Sequence, residues 1–352
     1  MKIAVYTICK NEEKHVERWY ESCKEADYVL LADTGSTDKT VEIARDLGIN
    51  IVPIFVSPFR FDDARNASLA LLPADVDYCI ALDMDETLTP GWRQALEAID
   101  PTIDRPSYRR IEAFNEDGSA NLEFDGFKIH RRTGIRWHYP IHEVPHWYEE
   151  RDEVKGRVEG LEIHHRQDKE KSRLQYLGML EAAVREKPDS RNLYYLGREY
   201  YYHKRFKEAA KYLKEYLEVS IFPEERSAAC RTLASCEPKK AEDWLMQGTE
   251  EHPNRESVLA LANHYYQTQQ WDECLLVSKK ALEFNNRPIS FLSENWAWGH
   301  MAYDLIAIAS WQLGDFKTAY EYGKTAVEIS PNEERLVNNL KFYESKVKDG
   351  NI

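Results

Sequence analysis

The first ninety residues alternate short apolar runs with stretches of helical spacing. Four runs are apolar enough for buried strands: residues 3–8, 28–32, 49–55 and 78–82. Amphipathic helical stretches fill the gaps between them. Strand–helix alternation of this kind predicts an α/β domain with a mostly parallel, Rossmann-like sheet and right-handed crossovers. In such sheets ligands bind beyond the carboxyl ends of the strands.

The pattern changes twice further along the chain. Residues 104–165 carry strand signals together with many aromatic and histidine residues, for which a place in the core is the default interpretation. From residue 168 onward strand signals stop, and four helical hairpins recur at about 34 residues, the tetratricopeptide period. We therefore predict an α/β domain over residues 1–167 and an all-α, tetratricopeptide-like repeat domain over residues 168–352.

Composition narrows the classes of partner and compartment. The chain has 352 residues and a net charge of -14, which disfavours binding to nucleic-acid phosphates. No apolar run approaches the ~18–20 residues that a membrane span requires. The six cysteines are scattered without metal-site or disulfide spacing, as in a reduced cytoplasmic protein. We expect a cytoplasmic protein without a membrane span and without a nucleic-acid partner.

Carboxylates follow the fourth apolar run directly. Asp83, Asp85 and Glu86 stand where this strand ends, with Met84 between the two aspartates. Acids in this place commonly cap the next turn. The alternative is a divalent-cation site, because Mg²⁺ and Mn²⁺ prefer oxygen ligands and often bridge a carboxylate to a diphosphate.

Polar groups also end the first two strands. Asp33 precedes a turn with Gly35 and several helix-capping residues, and that capped turn does not by itself account for Asp33. Residues 10–13 end the first strand in the same way. Arg65 lies on the helix before the carboxylates, where a guanidinium can meet a phosphate. The pattern predicts a crevice for a phosphorylated ligand.

The motifs at residues 9–13, 31–40, 64–67 and 82–86 together resemble those of the family 2 glycosyltransferases of GT-A fold, in order and in spacing. With helical repeats behind it, the chain resembles the bacterial and phage-type glycosyltransferases related to the sublancin S-glycosyltransferase. The resemblance implies metal-dependent, inverting transfer of a sugar from a UDP-sugar to a protein, peptide or glycan acceptor. The implied cofactor is Mn²⁺ or Mg²⁺.

The resemblance also implies roles for single residues on the donor side. Asp33 would bind uracil, and Asp83 would face the ribose and, through water, the metal. Asp85 would bind the metal directly. The implied donor-binding set comprises Ile8, Cys9, Lys10, Asn11, Asp33, Arg65, Asp83, Met84 and His142.

Two further residues complete the predicted site. Glu143 lies in a His-Glu motif that resembles the one carrying the general base, although pairing with an arginine such as Arg136 is the alternative. His165 lies on one strand face with Leu161 and Ile163, and the resemblance implies that it joins Asp83 and Asp85 at the metal. Adjacent histidines are also often structural, and relatives frequently continue with Gly-Tyr where this chain has Gln-Asp.

Two other functions compete with transfer. A nucleotidyltransferase would use the same sheet edge, but it normally carries a glycine-rich phosphate loop where residues 9–13 lack glycine. A protein-binding scaffold would use the helical repeats to bind partners, and its N-terminal domain would be a catalytically inactive relative of the glycosyltransferases. The sequence leaves open which sugar is transferred, which acceptor receives it, and whether the repeats form a homodimer.

Overall fold

A computed structural model of the protein describes residues 1–167 and 176–348, and the chain divides into two units. The first unit comprises Met1–Ala183 with Ile289–Phe291, and the second comprises Val184–Pro288 with Leu292–Ile352. The predicted boundary at residues 167 and 168 falls next to a segment outside the described residues, so it stays a prediction.

The described part of the first unit contains eleven strands and four complete helices. The strands are β1 (Ile3–Cys9), β2 (Tyr28–Asp33), β3 (Asn50–Pro53), β4 (Tyr78–Ala81), β5 (Glu86–Leu88), β6 (Arg105–Phe114), β7 (Ala120–Gly126), β8 (Ile129–Arg131), β9 (Ile135–His138), β10 (Val144–Trp147) and β11 (Lys155–His165). The helices are α1 (Val16–Cys23), α2 (Thr40–Asp46), α3 (Phe61–Ala70) and α4 (Trp92–Glu97).

The main sheet has the strand order β3-β2-β1-β4-β8. Its first four strands are the four predicted from the apolar runs, and they are mutually parallel, whereas β8 runs antiparallel to β4. The α/β class is confirmed. Chain order reverses direction between β1 and β4, and the carboxyl edge at such a switch point is where open α/β sheets bind their ligands.

A second sheet supplies part of the same edge. Its order is β5-β11-β6-β7, and β9 and β10 form a separate hairpin. Because β5 pairs antiparallel with β11, His165 lies opposite Glu86, three residues after Asp83. The long strand β11 therefore ends beside the carboxylates that follow β4.

Buried aromatic side chains hold the carboxyl end of β4 in place. Trp19 on α1 is fully buried, and its indole N–H donates to the Leu82 carbonyl at 3.1 Å. Burying a large apolar side chain stabilises a fold by about 2–3 kcal/mol. Apolar packing and one hydrogen bond thus set the position of the residue before Asp83.

A buried hydrogen-bonded chain lies in the core of the same unit. The Trp137 indole donates to the Tyr6 hydroxyl at 2.8 Å, and that hydroxyl donates to Nε2 of His130 at 3.0 Å. Nδ1 of His130 donates to the Arg131 carbonyl at 2.6 Å, which leaves Nε2 as the acceptor. Burial lowers the pKa of His130 to about 4, so the ring is neutral at pH 7.

The second unit is helical, as the repeat pattern predicts. Helix α5 (Tyr176–Glu186) spans the boundary between the units. The helices that follow are α6 (Ser190–Tyr202), α7 (Phe206–Val219), α8 (Pro223–Cys236), α9 (Ala241–Glu251), α10 (Arg255–Gln267), α11 (Trp271–Ala281), α12 (Asn295–Trp298), α13 (Met301–Gln312), α14 (Phe316–Ile329) and α15 (Glu334–Lys348).

Four hairpins, α6–α7, α8–α9, α10–α11 and α13–α14, correspond to the four predicted units. Small residues let their helices approach: a Cβ at Gly197 would lie 2.7 Å from Cγ of Leu213. Helix α15, the last helix of the described residues, packs on α14. No helix within residues 1–167 or 176–348 has the length and apolar character needed to cross a membrane.

Candidate active site

The loops after β1 and β2 are bonded to each other at the carboxyl edge of the main sheet. The Asn11 side chain accepts from the Thr37 amide at 2.8 Å, and the Asn11 amide donates to the Ser36 hydroxyl at 3.0 Å. Asn11 adopts a φ of 57°, a left-handed conformation that asparagine tolerates. The predicted donor-binding residues at the end of β1 are therefore held against the turn after β2.

Asp33 belongs to this turn. It pairs in register with Cys9, is 8% exposed, and accepts from the amides of Gly35 and Ser36 at 3.1–3.2 Å. Gly35 has a φ of 101°, which requires glycine. The capped turn foreseen from the sequence is present, and the uracil contact of Asp33 stays a prediction.

Asp83 sits between two cations. Arg65 Nη2 donates to Asp83 Oδ1 at 2.6 Å, and Lys128 Nζ bonds Asp83 Oδ2. Burial opposes the charged carboxylate, but Arg65 and Lys128 outweigh it and hold the pKa of Asp83 well below its usual range. Asp83 is thus ionised, and each of its oxygens already has a charged partner.

Glu86 binds the residues around Asp83 through three hydrogen bonds. It is fully buried, and its carboxylate accepts from Lys128 at 3.0 Å, from Arg110, and from the Asp83 amide at 2.9 Å. A buried carboxylate needs such partners, because an unpaired one would lose several kcal/mol of hydration. Glu86 therefore fixes both the backbone of Asp83 and the ammonium of Lys128.

Asp85 faces His165 on the neighbouring strand. The distance from Asp85 Oδ2 to His165 Nε2 is 3.6 Å, and His165 Nδ1 lies 3.0 Å from Glu112 Oε1. Burial would lower the pKa of His165, but Asp85 and Glu112 outweigh it and raise that pKa to about 9. Burial would raise the pKa of Glu112, but its interactions with His165 and Arg110 outweigh that effect and lower the pKa to about 2.

This arrangement suits a divalent metal with few protein ligands. Within the two described segments, no three His, Cys, Asp or Glu side chains are grouped to hold a metal by themselves. Mg²⁺ in nucleotide enzymes usually takes one or two carboxylates and completes its shell with phosphates and water. A carboxylate on the far nitrogen of a histidine ligand, as Glu112 is for His165, is a common supporting contact. Asp85 and His165 therefore fit the predicted ion.

Glu143 enters the site from the connection between β9 and β10. Its Oε1 accepts from Arg65 Nε at 2.5 Å, whereas Arg136, the partner suggested by proximity in sequence, is exposed. The side chain of Asn66 bonds both the amide and the carbonyl of Trp137 at 2.9 Å, which ties β9 to α3. These two hydrogen bonds hold the β9–β10 hairpin against α3, and so bring Glu143 beside Arg65.

Two other predicted donor contacts occupy contrasting environments. His142 has a φ of 54° and lies in the connection that carries Glu143. Met84 is 2% exposed and packs in the apolar core, which leaves its backbone for any contact with a donor. Their donor-binding roles stay predictions.

Nine residues form one continuous series of contacts, which we call the charged chain. In order they are Glu143, Arg65, Asp83, Lys128, Glu86, Arg110, Glu112, His165 and Asp85. Its carboxylates outnumber its guanidinium and ammonium groups by two. With His165 neutral, as a histidine that ligates a metal must be, one divalent cation would balance the excess.

Sequence reasoning missed Arg110, Glu112 and Lys128. Arg110 and Glu112 share a face of β6 with the buried Tyr108, and two charges in register with a buried residue are a usable signal of an internal ion pair. Lys128 lies in the two-residue connection between β7 and β8, where nothing in the sequence pattern distinguishes it from a solvated lysine.

Comparison with known proteins agrees with this geometry. Residues 4–105 match the model of glycosyl transferase family 2. An uncharacterized glycosyltransferase of Rickettsia bellii is 36% identical over 99 residues, and one of Rickettsia typhi is 33% identical over 99 residues. Each match covers 28% of this chain and 32% of the relative, so the chain spans about a third of the length of these relatives.

Solved structures also resemble part of the chain. YrrB, described as a TPR protein with an unusual peptide-binding site, has 16% identity and a TM-score of 0.38, covering 47% of this chain and 82% of its own. The pilF protein of Pseudomonas aeruginosa has 16% identity and a TM-score of 0.38, covering 48% and 72%. The family resemblance carried by the N-terminal motifs is confirmed over residues 4–105, which match the glycosyl transferase family 2 model.

Proposed function

We propose that the protein transfers a sugar from a UDP-sugar to a protein, peptide or glycan acceptor, with inversion at the anomeric carbon. The observation that carries the proposal is the excess of two carboxylates in the charged chain, at the edge where an α/β sheet binds its ligand. The family 2 segment supports the reaction class.

Asp85 and His165 are the residues that would hold Mn²⁺ or Mg²⁺, and Asp83 would reach it through water. When bound, the ion supplies Lewis-acid chemistry that neutralises charge on the departing diphosphate. Lys128 and Arg65 keep Asp83 ionised beside that position. Glu112 orients the His165 ring from its far nitrogen.

The donor would lie across the ends of β1 and β2. The backbone of residues 8–11 would wall the base, and Asp33 would accept a hydrogen bond from uracil. Asp83 would face the ribose. The hydrogen bonds between the two loops keep these groups in place before a ligand arrives, which lowers the entropy lost on binding.

Glu143 would act as the general base. The acceptor atom forms a bond to the anomeric carbon while the bond from that carbon to the UDP oxygen breaks. The acceptor's proton passes to Glu143, and the electron pair of the broken bond leaves with UDP. General-base catalysis of this kind contributes typically ~10²–10⁴-fold in rate. The helical repeats would position the acceptor.

Turnover of a panel of UDP- and GDP-sugars, measured with and without Mn²⁺, tests the proposal. We expect metal-dependent release of UDP from at least one UDP-sugar, and loss of that release in Asp85→Asn. Asp117→Asn, in the exposed turn between β6 and β7, is the control and should retain wild-type turnover. A protein that neither bound UDP nor turned over any donor would instead be a scaffold.

A further inference from the structure

Arg65 is enclosed by the protein rather than directed to the solvent. Its side chain is 3% exposed, and its guanidinium lies 5.0 Å from the centre of the Trp137 ring. Trp137 is itself fixed by its hydrogen bond to Tyr6 and by the two bonds of Asn66 to its backbone. A side chain held in this way has little freedom to swing out toward a ligand.

The guanidinium joins carboxylates that come from two different parts of the chain. Nε donates to Glu143, in the β9–β10 connection, and Nη2 donates to Asp83, after β4. These two carboxylates raise the pKa of Arg65 above its ordinary value despite its burial, so the guanidinium stays charged. The planar fork of arginine fixes both partners in angle as well as in distance.

The remaining atoms of the two side chains, Nη1 of Arg65 and Oε2 of Glu143, also fit a role for Arg65 in placing Glu143. Nη1 of Arg65 is buried without a hydrogen-bond partner among the described residues. A buried N–H group without a partner costs about 1–3 kcal/mol, and such a cost is found where a group serves function rather than stability. The described hydrogen bond to the Glu143 carboxylate is at Oε1, and this leaves Oε2 for the acceptor's proton.

We infer that Arg65 is a positioning residue: it holds Glu143 at a fixed place relative to Asp83 and does not itself bind the donor. This inference rests on the proposed function, because it takes Glu143 as the base and Asp83 as a donor contact. It differs from the donor-binding role that the family resemblance implies for Arg65. Loss of the fork would misplace the base, whereas Asp83 would keep its bond from Lys128 and the bond from its own amide to Glu86, so the donor pocket would stay in place.

Arg65→Lys separates the two roles. Lysine keeps the charge but offers a single point of contact, so it cannot hold both carboxylates in one plane. We expect kcat for transfer to fall about 100-fold, the effect of a base misplaced by about 1 Å. The KM for the UDP-sugar and the Kd for UDP should stay within about threefold of wild type.

The matched control is Arg93→Lys. Arg93 also joins two carboxylates, Asp27 and Glu97, but it lies at the opposite edge of the sheet, where β1 begins. Its replacement should leave kcat and KM unchanged. A rise of tenfold or more in KM and in the Kd for UDP in Arg65→Lys, with kcat retained, would overturn the inference.

A double mutant tests whether Arg65 influences kcat through Glu143. In a Glu143→Gln background, Arg65→Lys should add less than about threefold to the loss of kcat, because its influence passes through Glu143. A further loss of about 100-fold in that background would show that Arg65 acts by another path and would overturn the inference.

A measurement on the Arg65 N–H group keeps the test independent of turnover and of the folding of Arg65 variants. The Nε–H resonance of Arg65 should keep its chemical shift when Mg²⁺ and UDP are added, and it should move in Glu143→Gln. A resonance that moves with UDP and ignores Glu143→Gln would contradict the positioning role. Absence of any donor turnover by the wild-type protein would defeat the proposed function without altering this readout.

Discussion

The buried His130 makes the first unit sensitive to mild acid. In the folded protein the pKa of His130 is about 4, because burial disfavours the charged ring, whereas an exposed histidine has a pKa near 6.5. Between these two values the unfolded chain binds a proton that the folded protein excludes. The free energy of unfolding therefore falls as the pH is lowered from about 6.5 to about 4.

The size of this loss follows from the difference in pKa. At about 1.4 kcal/mol for each unit, the contribution of His130 amounts to about 3 kcal/mol by pH 4. At pH 7 and above none of this stability is lost, because the ring is neutral in both the folded and the unfolded protein. Protonation would also break the acceptor site for the Tyr6 hydroxyl and so disturb the hydrogen-bonded chain that supports Trp137.

Denaturant unfolding of the first unit, followed by its buried tryptophans between pH 7.5 and 4, measures the effect. His130→Gln removes the titrating group and should flatten the decline by about 3 kcal/mol relative to wild type. His203→Gln, at an exposed position on the helical unit, should leave the decline unchanged. Equal declines in wild type and His130→Gln, or a His130 NMR titration centred near 6.5, would refute the reasoning.

Two further substitutions test the base and the helical packing. Glu143→Gln should lower kcat for transfer by ~10²–10⁴-fold while the Kd for UDP measured by titration calorimetry stays unchanged, and undiminished transfer would place the base elsewhere. Gly197→Ala should lower the free energy of unfolding by about 1–3 kcal/mol, because its Cβ would lie 2.7 Å from Leu213. Gly178→Ala, a helical position with open space, should be neutral or stabilising, and equal effects of the two changes would contradict the packing argument.

The parts of the fold that follow from local pattern could be predicted from the sequence. The apolar runs at β1, β2, β3 and β4 and the repeat spacing from Leu193 to Ala326 each reflect burial within a few neighbouring residues. Asp33, Asp83 and Asp85 were found because strands that run parallel end at one edge, so sequence position alone assigns them to the crevice.

The partners of these residues depend on contacts between distant segments. Glu143 pairs with Arg65, 78 residues away, although Arg136 is much nearer in sequence. Lys128 reaches Asp83 across 45 residues, and Arg110 reaches Glu86 across 24. Periodicity identifies the face of a strand but not the element that packs on it. These ion pairs depend on how the second sheet and the β9–β10 hairpin pack, which the sequence pattern does not encode.

Under the proposed function, the charged chain, in which carboxylates outnumber guanidinium and ammonium groups by two, holds a divalent cation, which in turn holds a diphosphate. Calorimetric titration of UDP into the protein, with and without Mn²⁺, tests it most directly when wild type, Asp85→Asn and the Asp117→Asn control are compared. We predict that Mn²⁺ strengthens UDP binding at least tenfold in wild type and in the control but not in Asp85→Asn. Equal UDP affinity with and without Mn²⁺ in all three proteins would contradict the account.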